Sequence, residues 1–187
     1  MNNILSIKRT KKLDFSKDEV WNVITTPNYL NETHPFCKNN TVVTWPGVGS
    51  KDILEYLSGL TFEREFTQWD ENGYDLIIGT KNGKKSKVKW RLSGNEESSE
   101  LSIQVNTYPL KKFPGPLYIV PFVFQINPQL SRYLDSVLGG IEYFLKNKNP
   151  VPRNHFGTHK WFSLSLIHIS EPTRRRGMSY AVFCLKK

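Results

Sequence analysis

Between residues 41 and 108 the chain consists of short runs in which apolar and polar residues alternate, separated by turn-forming pairs such as Pro46-Gly47 and Asn82-Gly83. In one of these runs Val88, Trp90 and Leu92 alternate with lysine and arginine, so they share one face of a strand. Regular spacing of this kind predicts an antiparallel meander with one apolar face. We predict strands at 41–45, 51–57, 60–69, 74–80, 86–93 and 101–108, and a first strand that ends near Asp14.

The second constraint is a helical periodicity near the end of the chain. Apolar residues from Leu130 to Leu145 recur at helical spacing and predict one amphipathic helix over about residues 128–146, with Asn127 as its N-cap. Ser16 followed by Glu19 predicts a capping box that opens a helix after the first strand. The layout is α+β, and the long helix must bury its apolar stripe against the apolar face of the sheet.

Residues 164–187 break from this pattern. LSLIHISEPTR resembles the in-frame translation of an adapter used to build sequencing libraries, and the chain ends with a matching second part of that adapter. We therefore predict a non-native tail at 164–187 and a single domain at 1–163, the alternative being a genuine basic tail. The whole chain carries a net charge of +9, whereas residues 1–163 hold 21 basic and 16 acidic residues, a net charge of +5. The arginine run of the tail therefore predicts no nucleic-acid site.

Several motifs in residues 1–163 carry a family resemblance. They are Phe15-Ser16 with Trp21 at the first helix, Trp45-Pro46 and Gly49-Ser50 near the second strand, the spacing from Pro128 to Ile141, and the ending from Asn154 to Phe162. With them the chain resembles the START-like, helix-grip superfamily (SRPBCC), especially its polyketide cyclase/dehydrase and lipid-transport branch. The resemblance implies a curved antiparallel sheet of about seven strands wrapped around the long C-terminal helix. It also implies a cavity for an apolar or amphipathic molecule and no universal catalytic residue.

Arg64 is the side chain that bears most directly on ligand chemistry. It alternates with Phe62 and Phe66 and therefore shares their face of the strand. If this face is concave, the guanidinium could pair with a ligand carboxylate, and we expect a preference for a carboxylate or enolate oxygen. The alternatives are that the face points outward, or that Glu55 or Asp75 on a neighbouring strand neutralises the charge.

The other expected ligand contacts come from the long helix and from aromatic strand residues. We expect the helix to turn Tyr133, Val137 and Ile141 toward the concave face. The adjacent pair Gly139-Gly140 indicates either room for a ligand or close packing, and beside Gly140 we expect open volume above Trp90. The expected ligand-binding residues are Arg64, Trp90, Tyr108, Tyr133, Val137, Gly140 and Ile141.

Other chemistries find less support in the sequence. Two cysteines cannot form a disulfide framework, and His34 with Cys37 lacks the further ligands of a metal site, so we expect neither a metal nor another cofactor. No catalytic residue is assigned. The lysines of 81–91 favour a solvated strand face over nucleic-acid binding. We expect a cytoplasmic protein without stable membrane insertion, and a homodimer stays open.

Three functions remain open at this point. The leading hypothesis is binding, as carriage or sequestration, of a hydrophobic or amphipathic small molecule. The first alternative is a cyclase/dehydratase-type enzyme that acts on a polyketide-like substrate in the same cavity, which a paired acid and base on the concave face would favour. The second is a membrane-surface or partner-binding module that uses the proline-rich apolar patch at Pro109–Phe124.

Overall fold

The computed structural model describes residues 5–107 and 122–164. Their strands form one antiparallel sheet in the order β1-β7-β6-β5-β4-β3-β2, in which the first strand pairs with the last and the others form a meander. The predicted α+β layout is therefore confirmed. The strands are β1 (Leu5–Leu13), β2 (Cys37–Thr44), β3 (Lys51–Tyr56), β4 (Thr61–Asp70), β5 (Gly73–Gly79), β6 (Ser86–Gly94) and β7 (Ser99–Thr107).

The helices follow the predicted positions, with one correction at a helix start. Ser16 and Glu19 form the predicted capping box at the start of α1. Asn127 was expected to cap the long helix, but the backbone is already wound into a π-helical turn at Phe122–Ile126, so Asn127 lies inside the helical segment and its side chain accepts a hydrogen bond from Ser131. The α-helices are α1 (Lys17–Ile24), α2 (Leu30–Thr33) and α3 (Asn127–Asn147).

The core lies between the inner face of the sheet and α3. On α3, Leu134, Val137, Leu138 and Ile141 are buried in the same cluster as the inward side chains of the strands. At the edge of this contact Arg9 of β1 donates two hydrogen bonds of 2.7 Å to Asp135 of α3. This is the α+β arrangement that the two periodicities predicted, with the long helix packed on the apolar face of the sheet.

Two sequence predictions fall outside this description. Residues 165–187 lie outside the described residues, so the proposal of a non-native tail stays a prediction. Tyr108 and most of the Pro109–Phe124 patch also lie outside them. In the described part of the chain no helix is long and apolar enough to cross a membrane.

Candidate functional site

The inner face of the sheet carries an ion pair between two adjacent strands. Asp52 of β3 lies directly opposite Arg64 of β4 in the strand register, and both are buried. The Arg64 guanidinium donates from Nε to Asp52 Oδ1 at 2.7 Å and from Nη2 to Asp52 Oδ2. This is a bidentate pair, the strong form of arginine–carboxylate contact.

This pair corrects the expectation of an uncompensated cation. Arg64 does share the inner face with Phe62 and Phe66, as the alternation predicted. The neutralising carboxylate, however, is Asp52 and neither Glu55 nor Asp75. Burial lowers the pKa of Arg64, but the charge of Asp52 and its hydrogen bonds raise it more, so the guanidinium stays protonated. The period-two pattern of β3 puts Asp52 on the same face as Leu54 and Tyr56, but only the strand register shows that it lies opposite Arg64.

Two buried tyrosines extend the ion pair. Arg64 Nη1 donates to the Tyr29 hydroxyl at 3.4 Å, and the hydroxyls of Tyr29 and Tyr74 lie 2.9 Å apart. The guanidinium carbon also lies 5.6 Å from the centre of the Tyr29 ring and 5.4 Å from that of Phe66, within cation–π range. Burial first, and the nearby Tyr29, raise the pKa of Tyr74. The Tyr74 hydroxyl therefore remains a proton-carrying donor at neutral pH.

A second buried network joins α3 to the loop after α2. His34 Nε2 lies 3.0 Å from the Tyr133 hydroxyl, which lies 2.9 Å from the Tyr56 hydroxyl. His34 Nδ1 accepts the backbone N–H of Phe36, so the neutral ring carries its proton on Nε2 and donates it to Tyr133. Burial, with a smaller contribution from the positive charge of Arg64, lowers the pKa of His34 to about 3. At neutral pH the imidazole is therefore uncharged and holds the Tyr133 hydroxyl in place.

The other expected contact residues differ in the kind of surface that they supply. Trp90 is buried on the inner face of β6, with its ring 5.5 Å from that of Tyr74 and 6.4 Å from that of Tyr29. Val137 and Ile141 are buried in the core between α3 and the sheet. These three residues supply apolar surface, whereas Tyr133 supplies both a ring and a hydroxyl.

Gly140 does not border open volume. A Cβ atom at this position would overlap the backbone carbonyl oxygen of Thr33 and lie 3.1 Å from the Pro35 ring. The expectation of open volume beside Gly140 is therefore wrong, because the glycine lets α3 approach the end of α2. A Cβ at Gly139 would instead meet the ring of Phe156, which is 46% exposed and free to move away.

A closing segment, residues 151–163, folds back after α3 and covers one end of the tyrosine network. Phe162 stacks on Tyr56 with ring centres 4.3 Å apart and lies 4.6 Å from the ring of Tyr133. Its carbonyl accepts the N–H of Ser58, which anchors the segment to the turn after β3. Phe162 belongs to the terminal motif of the family resemblance but was not among the expected ligand contacts, since a single aromatic residue in a loop-like stretch carries no periodicity.

The remaining histidines and the buried cysteine serve structural contacts. Cys37 Sγ lies 3.6 Å from Asn31 Oδ1, and burial raises the pKa of its thiol to about 12, so it is no activated nucleophile. His159 Nε2 contacts the carbonyl of Gln129, and His155 packs on Tyr143. Within residues 5–107 and 122–164 no group of three or more metal-ligating side chains is close enough to hold a metal ion.

One end of the inner face retains some accessibility. Val88 and Val105 face each other on β6 and β7 and keep 7% and 8% of their surface, whereas the pair Leu92 and Leu101 on the same two strands keeps 2% and 0%. The less closed pair lies toward the C-terminal end of β7.

The solved structures with similar folds support the helix-grip architecture. DynU16, a protein of the dynemicin biosynthetic locus, matches with 17% identity and a TM-score of 0.60, over 78% of this chain and 48% of its own. A START superfamily protein from Mycobacterium smegmatis matches with 12% identity and a TM-score of 0.59, over 77% and 99%. Ara h 8.0201 matches with 13% identity and a TM-score of 0.57, over 77% and 99%. The chain thus spans about half of DynU16 but nearly all of the other two.

No protein-family model matches the sequence, and no curated protein sequence matches it either. The structural likeness is therefore one of fold. The protein has the START-like, helix-grip fold, a seven-stranded antiparallel sheet packed on a C-terminal helix, as the sequence motifs implied.

Proposed function

We propose that this protein binds a hydrophobic or amphipathic small molecule between the inner face of the sheet and α3, for carriage or sequestration. The observation that carries the proposal is the composition of this interior. Buried rings surround two hydrogen-bonded polar networks, one centred on Arg64 and one on Tyr133. Ligand sites typically combine an apolar lining with a few convergent polar groups.

The proposed contacts follow from these networks. Trp90, Val137 and Ile141 supply apolar surface, and the hydroxyls of Tyr29, Tyr56, Tyr74 and Tyr133 supply directional contacts. Arg64 acts through Tyr29, since Asp52 occupies two of its donors. Tyr108 is still proposed as a ligand contact on the basis of its sequence position. Gly140 is no longer proposed as one.

A fluorescence titration of the full chain tests this proposal. N-phenyl-1-naphthylamine, an uncharged apolar dye, should bind saturably with one molecule per chain. Val105→Trp places a large ring on the inner face of β7 and should abolish binding. Gln104→Trp, on the opposite face of the same strand, is the matched control and should bind normally. No saturable binding to the wild-type protein, or unchanged binding by folded Val105→Trp, would refute the proposal.

The His34–Tyr133–Tyr56 network favours a second candidate, a cyclase/dehydratase-type enzyme. A tyrosine hydroxyl held by a neutral imidazole could protonate a leaving hydroxyl group, and the tyrosinate formed would take up the neighbouring α-proton, so that water leaves and the hydroxyl is restored. Incubation with a linear poly-β-ketone followed by mass spectrometry separates the two candidates. Loss of water from the poly-β-ketone, abolished in Tyr133→Phe, would assign an enzyme, whereas binding without a mass change would assign carriage.

A further inference from the structure

We propose that the interior recognises a neutral oxygen acceptor on its ligand, such as a ketone or ester, and selects against carboxylates. This inference rests on the proposed function and names the ligand class of the same site. It reverses the preference expected from Arg64 alone.

The first support is the charge balance of the interior. In the described part of the chain Arg64 is the one buried lysine or arginine, and its bidentate contact with Asp52 neutralises it. His34 cannot supply a second positive charge, because both ring nitrogens are engaged in the neutral form. A ligand carboxylate would thus enter beside the carboxylate of Asp52 without a free cation to pair with. Burial of such an unpaired charge is unfavourable.

The second support is a count of hydroxyl hydrogens. Tyr29 and Tyr74 together carry two hydroxyl hydrogens but share one hydrogen bond, and the Nη1 group of Arg64 only donates to them. Tyr56 and Tyr133 likewise share one bond, and the Nε2–H of His34 only donates to them. Each pair therefore keeps one O–H hydrogen without an acceptor among the described residues. Two unused donors beside a neutralised charge suit an uncharged oxygen acceptor.

Displacement of N-phenyl-1-naphthylamine from the full chain by two matched ligands tests this selectivity. Dodecan-2-one and dodecanoate have the same chain length and differ in the head group. At pH 8 we expect the ketone to displace the dye at a concentration about tenfold or more below that of dodecanoate, given the penalty on a buried charge. Equal or stronger displacement by dodecanoate would overturn the inference and leave the dye-binding proposal standing.

Tyrosine-to-phenylalanine variants test the donors and keep the packing. Removing both hydroxyls of a pair removes its unused hydrogen, so at least one of the double variants Tyr29→Phe with Tyr74→Phe and Tyr56→Phe with Tyr133→Phe should weaken displacement by the ketone about 2- to 10-fold, the range for one hydrogen bond. Binding of the dye itself, which lacks an oxygen, should not change. Tyr143→Phe is the control, because the Tyr143 ring packs on His155 away from both networks. No change in ketone affinity in either double variant would also overturn the inference.

Discussion

The two faces of the sheet each hold a buried carboxylate, but their surroundings differ. Asp52 faces inward and meets one arginine among apolar rings. Asp75 faces outward and meets Arg91 at 2.6 Å, Lys87 at 3.1 Å and Lys89 at 3.8 Å, whose side chains are 37–47% exposed. Water can replace the cations around Asp75 but not Arg64. A carboxylate–cation contact is therefore required for stability on the inner face, whereas the same type of contact on the outer face is weakened by solvent and salt.

The largest expected effect is the loss of the inner carboxylate. Asp52→Asn leaves the Arg64 charge buried without a partner and should lower the free energy of unfolding by about 3–5 kcal/mol. Asp75→Asn, the matched substitution on the outer face, should lower it by about 1 kcal/mol or less. Urea unfolding of both variants at pH 7 measures the difference. Similar losses in the two variants would remove the distinction between the faces.

A second contrast lies in the two adjacent glycines of α3, which are both buried but meet different neighbours. Gly140→Ala forces a methyl group against the backbone of Thr33, which cannot move independently, and should lower the free energy of unfolding by about 1–3 kcal/mol. Gly139→Ala meets only the movable ring of Phe156 and should be neutral, or stabilising by up to about 1 kcal/mol through helix propensity. Thermal unfolding of Gly140→Ala and Gly139→Ala measures the difference. Equal changes in the stability of the two variants would contradict the close approach of α3 to α2.

The buried imidazole of His34, which joins the interior through Tyr133, should also control the response to acid. The folded-state pKa of His34, about 3, lies below the ordinary unfolded value of about 6.5, so between these values the unfolded state binds the extra proton. Stability is therefore lost as pH falls below about 6.5, with a slope of up to about 1.4 kcal/mol per pH unit. His34→Gln should flatten this dependence. His159 shifts in the same direction, so the difference between the wild type and this variant isolates His34. An unchanged slope in His34→Gln would contradict the buried, neutral imidazole.

The outer carboxylate should give the smallest response, at still lower pH. Burial raises the pKa of Asp75, but hydrogen bonds from Arg91 and Lys87 lower it more, so it lies below its ordinary value. Its contribution is present above the unfolded pKa and disappears as pH falls through the folded one. The stability difference between the wild type and Asp75→Asn, under about 1 kcal/mol at pH 7, should shrink as the pH falls through the folded-state pKa of Asp75, and should also shrink in 1 M NaCl. A difference that resists both acid and salt would contradict a solvated cluster.

The sequence predicted the fold better than the site, because periodicity reports which face of an element is buried and not what lies opposite. The alternation around Arg64 correctly put it on the face of Phe62 and Phe66, but the strand register was needed to identify Asp52 as its partner. The helical spacing likewise predicted α3. It could not reveal that Gly140 approaches the end of α2, since that contact joins residues far apart in the chain. The networks of Tyr29 and His34 escaped notice for the same reason.

A double-mutant cycle on the inner pair tests most directly whether Asp52 engages the charge of Arg64. Asp52→Leu and Arg64→Met are measured singly and together by urea unfolding at pH 7. Each single change should destabilise by about 3–5 kcal/mol, and the double variant should lose less than the sum of the two single losses, by a coupling energy of about 2–3 kcal/mol. The corresponding cycle on Asp75 and Arg91 should give about 1 kcal/mol or less. Additive losses at Asp52 and Arg64, with a coupling near zero, would contradict the closed ion pair and return Arg64 to the role of a free cation for an anionic ligand.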